Sequence, residues 1–105
     1  MSDVVPTDIL TTVAGTLVAK RRYANREEAL RSLALAVIRG KTAYYRRRIR
    51  RFERKHHMNF DRFAARLKGR ATPVEEDDWF AWRSAGRMLA DWQQAYEDLR
   101  HARSR

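Results

Sequence analysis

The sequence predicts an all-α protein: a long antiparallel helical hairpin with a shorter N-terminal helix and a short connecting helix. Three observations carry that reading. Apolar residues recur at helical spacing along most of the chain, and no strand-like alternation persists beyond a few residues. Only four Gly and two Pro interrupt 105 residues. Start and stop signals then divide the chain where the spacing breaks. At this length a chain forms one domain, here 1–105, which buries roughly 60–70% of its unfolded surface.

The first helix is expected over Thr7 to Lys20, with Ile9, Leu10, Val13, Leu17 and Val18 on one face. Gly15 weakens it by up to about 1 kcal/mol relative to Ala. A polar break at Arg21 to Ala24 leads to Asn25, a cap residue, with Glu28 three places on to reach back to the cap amide. From Arg26 the stripe Leu30, Leu33, Val37, Ile38, Tyr45, Ile49, Phe52 runs to about His57. Unbroken, it makes a rod of roughly 45–48 Å. Gly40 leaves open a bend, or two helices in place of one.

Asn59 caps a short helix holding Phe60, Phe63 and Leu67, which Gly69 stops. Thr72-Pro73-Val74-Glu75 is a stronger start, combining a Thr cap, Pro at the first helical position and Glu at the third. The last helix runs from Pro73 to about Arg100. Trp82, Leu89 and Tyr96, interleaved with Ala85, Trp92 and Leu99, give it one apolar seam. The N-terminal helix is expected to pack across the hairpin. Glu75, Glu76, Asp77 and Asp78 sit in the first turn, where the helix dipole favours anions and a hairpin brings them near the basic end of the other long helix.

Charge is concentrated. The 23 Lys and Arg outnumber 13 Asp and Glu, for a net charge of +10. Between Arg39 and His57 lie nine cations (Arg39, Lys41, Arg46, Arg47, Arg48, Arg50, Arg51, Arg54, Lys55) and one acid, Glu53, so this block holds +8 of the total. With Tyr45, Ile49 and Phe52 facing inward, Arg46, Arg47, Arg50, Arg51 and Arg54 spread over the remaining faces, with Tyr44 among them. Guanidinium forks match phosphate or carboxylate oxygens bidentately. Arg46, Arg47, Arg50, Arg51, Arg54 and Lys55 are therefore the candidate surface for a polyanion, either nucleic acid or an acidic partner. The plain alternative is a solvated helix face partly cancelled by the acids at 75–78.

Several chemistries are excluded or thinly supported. Zero cysteines remove disulfides, thiolate catalysis and Cys-ligated metal centres. No two glycines are close enough for a phosphate-cradling loop, and no serine sits in a nucleophile elbow. Glu53 and His56 have the spacing of helical carboxylate–imidazole metal sites, but such sites need further carboxylates. His56 and His57 point to different faces. The expectation is a non-enzyme with no cofactor and no metal. The longest apolar run, Leu33 to Ile38, is far too short to span a bilayer. With no signal-like opening segment either, the expected location is cytoplasmic.

The aromatics Trp79, Phe80, Trp82, Trp92 and Tyr96 read first as core. Trp79 and Phe80 face away from the seam and are the candidate anchors for a protein partner. The seam itself permits a homo-oligomer.

Pro6 to Gly40 reads as helix, short polar turn, then Tyr23-Ala24-Asn25-Arg26-Glu27-Glu28-Ala29-Leu30-Arg31 opening a second helix. This stretch resembles the helix–turn–helix part of ribbon-helix-helix antitoxins of type II toxin–antitoxin pairs. In those families a small or Asn cap precedes an Arg-x-Glu-like start. The later run from Phe52-Glu53-Arg54-Lys55 through Met58-Asn59-Phe60-Asp61-Arg62-Phe63 to Asp77-Asp78-Trp79-Phe80-Ala81-Trp82 resembles small helical antitoxin-like proteins more loosely. The resemblance divides the chain into an antitoxin-like portion, 6–40, and a basic helix, connector and aromatic helix, 41–105. It implies a noncatalytic protein that neutralises a toxin-like partner by occlusion, with DNA or RNA held on the Arg-rich helix. The alternatives are a nucleic-acid-binding subunit of a larger ribonucleoprotein and a structural helical oligomer. One departure is plain: Met1 to Val5, where the family's DNA-reading strand would lie, carry no basic or amide side chain for base edges.

Overall fold

A computed structural model describes residues 6–102, and among them there are four helices and no strand. Met1 to Val5, the expected place of a degenerate strand, lie outside the described residues. The helices are α1 (Pro6–Ala19), α2 (Arg26–His56), α3 (Phe60–Leu67) and α4 (Pro73–Ala102). The two long ones, of 31 and 30 residues, pack against each other as an antiparallel hairpin. Both ends of the pair fix the direction. Lys55 and His56 at the end of α2 meet Asp78 near the start of α4, while Arg31 near the start of α2 donates to the Leu99 carbonyl at 2.9 Å.

Each start signal does what its chemistry allows. Asn25 Oδ1 accepts from the Glu28 amide at 2.9 Å. Glu28 answers to the Asn25 side-chain amide at 3.3 Å, however, rather than to the backbone amide of the cap. At α4 the reciprocal box is complete: Glu75 N–H donates to Thr72 Oγ1 and Thr72 N–H to Glu75 Oε1, at 3.2 and 2.9 Å. Asn59 Oδ1 accepts from the Arg62 amide at 2.9 Å. For an eight-residue helix that cap is a large share of its local stability. Replacing Asn59 with Ala is expected to cost about 1 kcal/mol in a urea titration, while Asn59→Asp retains most of it. Equal midpoints for Asn59→Ala and wild type would show that packing alone holds α3.

Gly40 neither bends nor splits α2, which is continuous through it. The stop at its far end is His57, a non-glycine residue at φ 58°, and Gly69 turns the chain after α3 at φ 78°.

The core sits at one end of the hairpin. Phe63, Leu67 and Trp82 are buried together, with Ile49, Phe52, Met58, Phe60, Ala71 and Trp79 packed around them. From there the seam of α4 thins: Trp82 and Ala85 are buried, Leu89, Trp92 and Leu99 are half-buried, and Tyr96 is exposed. The N-terminal helix departs from expectation. It packs on α2 rather than across both long helices. Among its residues whose burial is described, the small Ala14 is the buried one, and Ala29 of α2 is likewise fully buried. The larger Ile9, Leu10 and Val13 remain exposed, as does Val37 of α2. No described helix is long and apolar enough to cross a membrane.

Candidate polyanion-binding surface

The middle of α2 has two faces with opposite tasks. Tyr45, Ile49 and Phe52 are half-buried toward the hairpin, and Phe52 stacks on Trp82 with ring centroids 5.5 Å apart. Helical geometry then leaves the intervening positions to solvent. Arg46, Arg47, Arg50, Arg51 and Arg54 are all exposed. Arg46, Arg50 and Arg54 follow one another at four-residue steps, a ridge about 12 Å long, with Arg47 and Arg51 beside it. Arg39, also exposed, extends the basic surface to about 22 Å, and the exposed Lys41 lies on the opposite flank of α2.

Whether such a surface can hold an anion depends on where the acids went. Asp78 takes Lys55 and His56, each at 2.8 Å. Glu75 faces Arg66 at 3.8 Å, and Glu97 faces Arg100 and His101 at 3.9 and 3.8 Å. Asp78 and Glu75, at the start of α4, therefore serve the closed end of the hairpin. Lys55 is thus committed to a bridge between α2 and α4, although its side chain stays 52% exposed. Arg48 is half-buried, its guanidinium 5.9 Å from the centroids of the Tyr44 and Phe52 rings. Of the nine block cations, that leaves seven (Arg39, Lys41, Arg46, Arg47, Arg50, Arg51, Arg54) exposed and without an acidic partner among the described residues. Exposed guanidinium still free to pair is what a phosphate backbone requires.

His56 carries a role that its sequence position did not disclose. Its Nε2 meets Asp78 Oδ2, and its ring lies 4.1 Å from that of Phe63 and 5.9 Å from that of Trp82. The partner carboxylate is 22 residues away, so no local spacing announces the pair. Burial alone would raise the Asp78 carboxyl, but the hydrogen bonds and charges of Lys55 and His56 outweigh it and hold it below its usual value. Glu75 is lowered too, chiefly by the Thr72 backbone N–H.

A depressed folded-state value means that Asp78 contributes stability above its unfolded value, about pH 3.9, and that this is lost as pH falls through the folded one. Asp78→Asn is expected to lower the urea midpoint at neutral pH. It should also flatten the fall in stability below about pH 4. Parallel acid profiles for variant and wild type would show that the clamp contributes nothing.

The two candidate partner anchors separate. Trp79 is half-buried at the edge of the core, 6.1 Å from Phe60 and with the Arg83 guanidinium 5.2 Å over its ring. Phe80, edge-on to Trp79, is 60% exposed. Only Phe80 presents most of its ring to a partner. Among the described residues no group of three or more His, Cys, Asp or Glu gathers where it could hold a metal ion.

No family, curated protein or solved structure matches this chain. The functional reading therefore rests on the site's own chemistry.

Proposed function

We propose that the protein is a noncatalytic binding module that grips a phosphate backbone through the outer face of α2. The observation that carries this is the set of seven exposed cations with no acidic partner among the described residues. A face meant only for water gains from interspersed acids, whereas this one has Glu53 alone. If about five of these side chains meet phosphates, log affinity falls with log salt at a slope near −4.5 on duplex and near −3.5 on a single strand. The test is fluorescence anisotropy of nuclease-treated protein with a nonspecific duplex and an RNA hairpin at several salt concentrations. Absence of binding at low salt, or a flat salt response, removes the reading.

A second reading is favoured by the uncovered apolar flank. Ile9, Leu10, Val13 and Val37 are 53, 36, 41 and 45% exposed, and the first three fall on one face of α1. An antitoxin-like protein would cover that flank, and Phe80, with a toxin-like partner whose cleft it occludes, while the arginine face holds nucleic acid. Both readings belong to the cytoplasm. Co-purification separates them: a stoichiometric small protein supports the antitoxin, and bound nucleic acid alone supports the simpler module.

A further inference from the structure

The geometry points to a seat for an unstacked nucleobase between α2 and α4, so that the ligand of the arginine face is single-stranded nucleic acid rather than duplex. This rests on the phosphate-gripping reading and deepens it. The seat is an open groove of about 490 Å³, bordered on the α2 side by Arg39, Ala43 and Arg46 and on the α4 side by Gln93, Tyr96 and Glu97. Its size falls within the roughly 300–1,000 Å³ of small-ligand sites.

Its position relative to the cations is the first argument. Arg39, Ala43, Arg46, Arg50 and Arg54 succeed one another at three- and four-residue steps, so they share one flank of α2. Ala43 is the one position in that series without a long side chain, and the groove opens there. A backbone held along the flank passes directly over the opening, with Arg39 and Arg46 about 10 Å apart on either side of it.

The chemistry of the far wall is the second. Tyr96 lines the groove, is 36% exposed and has no ring partner among the described residues, so its ring is open to a ligand there. Gln93 is exposed and uncommitted among the described residues, and its amide can both donate to and accept from a base edge. Glu97 is the one acid in the lining, and Arg100 and His101 face it. An aromatic face, an amide and flanking guanidinium groups suit a base with its phosphates. In a duplex both faces of each base are already stacked, so only a single strand can use Tyr96.

The test uses the full chain with oligo(U), oligo(dT) and a duplex of equal length, in anisotropy titrations. Both single strands are expected to bind more tightly than the duplex, and the tighter of the two marks RNA or DNA as the natural ligand. Tyr96→Ala should weaken single-strand binding about tenfold, leave duplex binding unchanged, and be rescued by Tyr96→Phe. Ala43→Leu fills the mouth of the groove from an exposed helical position, so it tests the seat without disturbing the core. It should weaken single-strand binding by a similar factor. Wild-type affinity in both Tyr96→Ala and Ala43→Leu, with salt-sensitive binding intact, overturns the seat and leaves the phosphate-gripping reading standing. No salt-sensitive binding by the wild type overturns both.

Discussion

Reversing two charges on the outer face of α2, Arg47→Glu with Arg50→Glu, is expected to lower single-strand affinity by about 25-fold or more at about 0.1 M salt. Each phosphate contact on a single strand releases about 0.7 counterion, which at that salt is worth roughly a factor of five, and two contacts are lost. The new carboxylates then repel the backbone, so the true loss is larger. Helicity should be unchanged. Both positions are exposed, neither has an acidic partner among the described residues, and Glu forms helices well. Circular dichroism and anisotropy on the same preparation check both halves of the expectation. Unfolding of the variant would show that these arginines belong to the internal architecture. Undiminished binding would move the contact surface elsewhere.

Trp82→Ala is expected to cost about 3–5 kcal/mol, the largest effect of any single truncation considered. Trp82 is 2% exposed where α2, α3 and α4 converge. Its ring lies 5.2 Å from Phe63, 5.5 Å from Phe52 and 5.6 Å from Phe60. The short α3 has no other large anchor on α4 as deeply buried. Chains of this size are stable by roughly 5–15 kcal/mol, so the variant is left near the edge of folding. The midpoint of thermal melting should fall by about 15 °C or more, with Trp82→Phe losing far less. A drop of a few degrees would mean that α3 is held mainly by its cap and the Lys55–His56–Asp78 clamp.

What could be read in the sequence was what local chemistry decides. The caps Asn25, Asn59 and Thr72 act on amides three residues ahead, so a short window contains both partners. The basic character of α2 was equally plain, because five arginines spread over the faces not taken by Tyr45, Ile49 and Phe52. Features set by distant partners were not legible. Lys55 belonged by composition to the basic face, and only the return of α4 assigns it to Asp78. Periodicity found an apolar face on α1 but not its covering: Ala14 is buried while Ile9 and Val13 stay exposed. Gly40 was ambiguous because its helix penalty, about 1 kcal/mol, is small beside the packing of α2 on α4. His57 at φ 58° ends α2 without the glycine that would have signalled it.

The elongated outline follows from the same economy. The radius of gyration is 19.1 Å, against about 13 Å for a compact chain of this length. Two rods of 31 and 30 residues with a core at one end expose more surface than a globule does. That shape suits a protein that lies along an extended ligand.

The most direct test is the slope of log affinity against log salt for a single strand, in the wild type and in Arg47→Glu/Arg50→Glu. A wild-type slope near −3.5 that becomes shallower by about 1.4 or more in the variant, roughly 0.7 for each lost contact, is the predicted result. Identical slopes in the two proteins would contradict it, since the arginines of α2 would then be releasing no counterions.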